Sequence, residues 1–69
     1  MSGHLNVYKV RDGVYALGRP GRKAVASCQW SVERGRYLGC RGKRPNIDPE
    51  AKSFKASRTL RAKLRELAN

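Results

Sequence analysis

The segment SVERGRYLGCRGKRP places Arg34, Arg36, Arg41, Lys43 and Arg44 around a tight reversal at Arg34-Gly35, with Glu33 as its single acid. A reversal needs a glycine and some polarity, so the cations require another reason. A guanidinium donates two parallel hydrogen bonds to a phosphate or to the acceptor edge of guanine, and it stays charged at physiological pH. A second basic group, Arg19, Arg22 and Lys23, lies in GRPGRK. A third, Lys55, Arg58, Arg61 and Arg65, recurs every three or four residues near the C-terminus, the spacing that keeps side chains on one side of a helix. Between the first two groups stand Gln29 and Ser31. Short polar side chains allow close approach to a groove, and a glutamine can reach a base edge. The same Ser and Gln positions also fit an ordinary solvated sheet face.

The inventory for catalysis is thin. Five acids, one histidine and two cysteines contain no pair spaced as a nucleophile with its base, or as two facing carboxylates. His4 lies near the N-terminus and reads as solvated. Cys28 alternates with apolar neighbours and reads as a buried small hydrophobe. GRPGRK has glycines and cations but lacks the Lys-Ser/Thr ending of a phosphate-binding loop. A single histidine far from Cys28 and Cys40 argues against a four-ligand zinc site. The expectation is a protein that is not an enzyme and uses no metal, no cofactor and no small-molecule substrate.

With 16 Lys and Arg against five Asp and Glu in 69 residues, the chain carries a formal charge of +11. Self-repulsion of that size works against the compact state unless a partner gains from it. A nucleic acid, an anionic membrane surface or an acidic protein would gain. No apolar run approaches the roughly 20 residues of a membrane span. The N-terminus MSGHLNVYKV lacks the basic and then apolar pattern of a signal peptide. The expected location is intracellular: cytoplasmic, nucleoid-associated, or nuclear in a eukaryote. Two cysteines fit a reducing compartment, and the sequence leaves their pairing open.

These residues need a scaffold, and the pattern along the chain supplies one. NVYKVRDGVYAL predicts a hairpin about Asp12-Gly13, with Tyr8 facing Leu17 and Val10 facing Tyr15 on one apolar face. Ala24, Ala26, Cys28, Trp30 and Val32 alternate with Val25, Ser27, Gln29 and Ser31, a period of two that predicts a strand with one core face. A reversal at Arg34-Gly35 sets Val32 against Tyr37 and Trp30 against Gly39, so the aromatics read as core. The open face would then offer mainly Ser27, Gln29, Ser31 and Leu38. Asp48-Pro49-Glu50 reads as a helix start, with an acceptor at the cap, a fixed φ and an acid at the positive end of the dipole. The resulting helix over 49–68 carries an apolar stripe of Ser57, Leu60, Leu64, Leu67 and Ala68 with Phe54 at its edge. The helix can alternatively start at Ser57 and leave KSF extended. The expected organisation is one domain, 1–69, with a sheet region over 4–41, a basic linker over 42–48 and the helix over 49–68.

From RKAVASCQW through RGRYLG to SRTLRAKLREL, a little over half of the chain, the sequence resembles the arm-type and AP2-like N-terminal DNA-binding domains of tyrosine recombinases. In those families a three-stranded sheet backed by one helix enters the major groove. The resemblance implies that Gln29, Ser31, Arg34 and Arg36 face the groove. The chain departs from the family in the long CRGKRPNIDPEAKSFKA connection and in its first hairpin.

The expected fold is therefore α+β, a three- or four-stranded antiparallel sheet packed on one C-terminal helix. The expected function is non-catalytic nucleic-acid binding, duplex DNA ahead of RNA, by a small regulator or recombination accessory suited to a phage or mobile element. Arg19, Arg22, Lys23, Gln29, Ser31, Arg34, Arg36, Arg41, Lys43, Arg44, Lys55 and Arg58 are its expected contacts. The alternatives are a basic inhibitor or adaptor on an acidic protein, and an RNA- or ribosome-associated protein.

Overall fold

Alternating apolar residues broken by glycine-marked turns form four consecutive strands in the computed structural model, which describes residues 5–39 and 44–69. These are β1 (Asn6–Arg11), β2 (Val14–Gly18), β3 (Ala26–Ser31) and β4 (Arg36–Gly39). They pair in chain order as one antiparallel sheet, and a single helix, α1 (Arg58–Ala68), follows them. The α+β class is as the sequence predicts, with four strands.

β1 and β2 distribute their apolar residues over both sheet faces, whereas those of β3 all lie on one. On one side Val7, Tyr15, Leu17, Ala26, Cys28 and Trp30 bury against Leu60 and Leu64 of α1, with Tyr37 and Leu67 at the margin. On the far side Tyr8, Ala16 and Ala24 bury against Ile47. This second core is absent from the sequence prediction, and a register change in the first hairpin carries Tyr8 into it. In the first hairpin Val7 pairs with Leu17 and Tyr8 with Ala16, while Val10 sits as an extra residue between the Lys9↔Tyr15 and Arg11↔Val14 pairs. Tyr8 therefore leaves the Tyr15 and Leu17 face, and Val10 is 37% exposed. Only Gly13 takes a positive φ, 76°, while Asp12 does not, so the turn is not the one in which both central residues are left-handed. With apolar cover available on both sides, splitting the two tyrosines buries both rings, which a single four-residue face would not do.

The second hairpin shows the same device. Gln29 pairs with Gly39 and Trp30 with Tyr37, which leaves Leu38 as the extra residue on β4. The predicted Trp30–Gly39 and Val32–Tyr37 pairs are thus replaced. Val32 belongs to the turn over 32–35 and is 57% exposed, outside the core face assigned to it. Such bulges increase local twist, which lets a short sheet wrap a helix.

The far-side core also changes the meaning of the basic linker. Residues 45–47 lie against the β2–β3 loop: Ala24 N donates to Pro45 O at 2.9 Å, Ile47 N to Arg22 O at 2.8 Å and Gly21 N to Ile47 O at 2.7 Å. Ile47 is 3% exposed as a result. Gly18 makes room for it, since a Cβ there would stand 2.9 Å from Ile47 Cδ1 and 3.2 Å from Ala24 Cα.

The helix starts at Ser57, the later of the two starts compatible with the sequence, and not at Asp48. Asp48 Oδ1 accepts the Glu50 N–H at 2.8 Å and Asp48 O accepts the Ala51 N–H at 2.9 Å, so the acceptors close a local turn. The chain then runs extended along the edge of β1, where Ser53 bridges to Tyr8 and Phe54 N donates to Val7 O at 2.6 Å. Phe54 packs tilted against Tyr15, with ring centroids 4.7 Å apart and planes inclined at 43°. Helix over 49–57 would forfeit these bonds and leave the β1 edge bare, so tertiary pairing overrides the Asp-Pro-Glu signal. Ser57 Oγ accepts the Leu60 N–H at 3.2 Å as the true cap. Cys28 is buried as expected, whereas His4 and Cys40 lie outside the described residues, so the pairing question does too.

Candidate functional site

The register decides which basic residues share a face. Arg11 pairs with Val14, Val14 with Gln29 and Gln29 with Gly39, so these four form one row across the far side of the sheet. Ser31 and Arg36 form the next paired position on the same side. The Ile47 segment covers the end of this face nearer the β2–β3 loop, and among the described residues Arg11, Val14, Gln29, Ser31 and Arg36 beyond it keep exposed surface. There Val10, Arg11, Val14, Ser27, Gln29, Arg44 and Pro45 line a shallow depression of about 570 Å³. Gln29 is half-buried in it, and Arg11, Arg36 and Arg44 are exposed.

The structure brings together only part of the predicted set. Gln29, Ser31, Arg36 and Arg44 lie on or beside the open face. Arg34 stands at the hairpin tip, where its backbone N–H donates to Ser31 Oγ at 3.1 Å. Ser31 is therefore partly occupied in closing its own turn. Arg19, Arg22 and Lys23 are exposed in the loop at the opposite end of β3, roughly 20 Å of strand away from the Arg34–Arg36 tip. Lys55 is exposed in the connection to α1 and Arg58 in the first turn of the helix. Arg41 and Lys43 lie outside the described residues. Arg11 joins the site although the sequence reading did not select it. The available signal was its place one residue before Asp12-Gly13, which sets it across from Val14.

Few of the cations are neutralised within the described molecule. Among the described residues the ion pairs are Lys9–Asp12 at 3.2 Å and Lys63–Glu66 at 3.5 Å, and both use lysine. Lys63 also lies over the Tyr37 ring, 4.5 Å from its centroid. The described arginines are in no ion pair, so their charge is directed at solvent or at a ligand. Among the described residues no three of His, Cys, Asp and Glu gather as metal ligands would, and no helix is long and apolar enough to cross a membrane. Compared with protein families, curated protein sequences and solved structures, the chain finds no match in any of the three.

Proposed function

We propose that this protein binds nucleic acid without catalysis, through the open far face of its sheet, and that its preferred ligand is duplex DNA. The observation that carries the proposal is the convergence of Arg11, Arg44 and the half-buried Gln29 on one depression, with Arg36 beside it and none of these arginines neutralised within the described molecule. A major groove admits β-strands, and the β3–β4 hairpin forms one edge of this four-stranded sheet. Arginines at its border bind phosphates and set its position, while Gln29 reaches a base edge. The face lies opposite the helix, which is where the recombinase-type resemblance puts a groove-reading sheet. A role as a small regulator or recombination accessory of a phage or mobile element, at work on DNA inside the cell, follows from that reading.

A specific observation favours an acidic protein as the second candidate partner. Val32 and Leu38 are 57% and 55% exposed on the same hairpin as Arg34 and Arg36, a mixed apolar and basic patch of the kind protein partners cover. The deciding measurement is fluorescence anisotropy of a labelled duplex and a matched single strand across a salt series with unlabelled random competitor. Duplex binding that persists near physiological salt and resists competitor supports groove reading. Binding that vanishes there, or ignores strandedness, refutes it and leaves the acidic protein in first place.

A further inference from the structure

We infer that Arg58, Arg61 and Arg65 form a second polyanion contact, for the phosphate backbone of a separate duplex segment, so that one molecule joins two duplexes. The inference rests on the nucleic-acid reading above. At 3.6 residues per turn the three arginines fall within a sector of about 60° on one flank of α1. Lys63 and Glu66 occupy the other flank, where they pair with each other. Arg58 and Arg65 are exposed and Arg61 half-buried, and among the described residues none is in an ion pair. Arg61 and Arg65 also line a groove of about 570 Å³ whose other walls include Asn6, Ala68 and Asn69. Like charges three and four residues apart destabilise a helix, and the first turn of α1 carries no acid to offset them. A strip of this kind is favourable once phosphates line it.

Its position makes it a separate contact. Leu60 and Leu64 press α1 onto the Tyr15 and Trp30 side of the sheet, whereas Gln29 and its arginines lie on the other side. The molecule is 22 Å across its shorter axes, and a duplex is stiff over roughly 150 base pairs. A straight duplex seated against Gln29 therefore has the whole sheet between it and the helix strip. Guanidiniums on the two sides engage two segments.

The test uses the full chain, one duplex fixed to beads and a second, fluorescent duplex in solution. The wild type should carry the second duplex onto the beads. The Arg58→Ala, Arg61→Ala, Arg65→Ala triple variant, whose alanines favour helix, should lose about tenfold of this capture while its affinity for one duplex falls less than about threefold. Arg→Lys at the same three positions should keep capture within about twofold, because phosphates accept either cation. Wild-type capture by the alanine variant would overturn the inference and point to bridging through protein dimers. Duplex binding without capture, or energy transfer between the ends of one duplex that shows it bent around the protein, would overturn it as well. Failure to bind any single duplex would remove the proposed function and this inference together.

Discussion

Gly18 and Gln29 show how single positions tie sequence to function. A Cβ at position 18 would meet Ile47 Cδ1 at 2.9 Å and the Ala24 backbone at 3.2 Å, so the linker that covers one end of the far face depends on its absence. Gly18→Ala should lower stability by about 1–3 kcal/mol through overpacking, seen as a reduced thermal midpoint. An unchanged midpoint would mean that Ile47 moves aside freely and that the far-side core is soft. Gln29 is half-buried between Val14 and Gly39 and is the one neutral polar side chain long enough to reach a base edge from the depression. Gln29→Ala should cut discrimination between preferred and random duplexes by about 1–3 kcal/mol in competition while leaving the salt dependence intact. Equal loss on every sequence would assign Gln29 to general packing of the interface.

Among the elements, the connection between sheet and helix carries the largest departure from local propensity. Asp48-Pro49-Glu50 has every mark of a helix start, yet its acceptors close a turn, and the following residues extend along β1. The two serines of the segment divide the work: Ser53 bridges to Tyr8, and Ser57 caps α1. Ser57→Ala should cost about 0.5–2 kcal/mol, and chemical denaturation would measure it. Asp48→Ala should leave the helical circular dichroism signal unchanged, since Asp48 begins no helix. A drop in that signal would show helix reaching back toward residue 49 in solution. The bulges at Val10 and Leu38 belong to the same scale. One turns Tyr8 to the Ile47 side of the sheet, and the other keeps Trp30 against Tyr37 under the helix.

At the scale of the whole molecule, charge and topology combine. A net +11 on 69 residues makes binding to a polyanion strongly salt-dependent, with the slope of log affinity against log salt near 0.9 per neutralised phosphate. The Arg11→Ala, Arg36→Ala, Arg44→Ala variant should flatten that slope by about three, as each phosphate contact contributes about one. An unaltered slope would locate the contacts elsewhere, with the β2–β3 loop and the helix strip next in line. The α+β class, the strand positions, the Ser and Gln face and the excess of arginine were legible in the sequence, because alternation, turn glycines and composition act over a few residues and need no distant partner. The register of both hairpins, the second core under Ile47, the late start of the helix and the grouping of Arg11 with Arg44 were not. Each depends on contacts between segments far apart in the chain, where burial on both sides of the sheet and pairing along its edge outweigh the local preference of any one segment. The residue types and spacing determined that the protein would be a small, cationic sheet-and-helix domain. Only tertiary packing decided which arginines stand together and which face they leave open, since that choice rests on the free energy of covering one end of the far face and not the other.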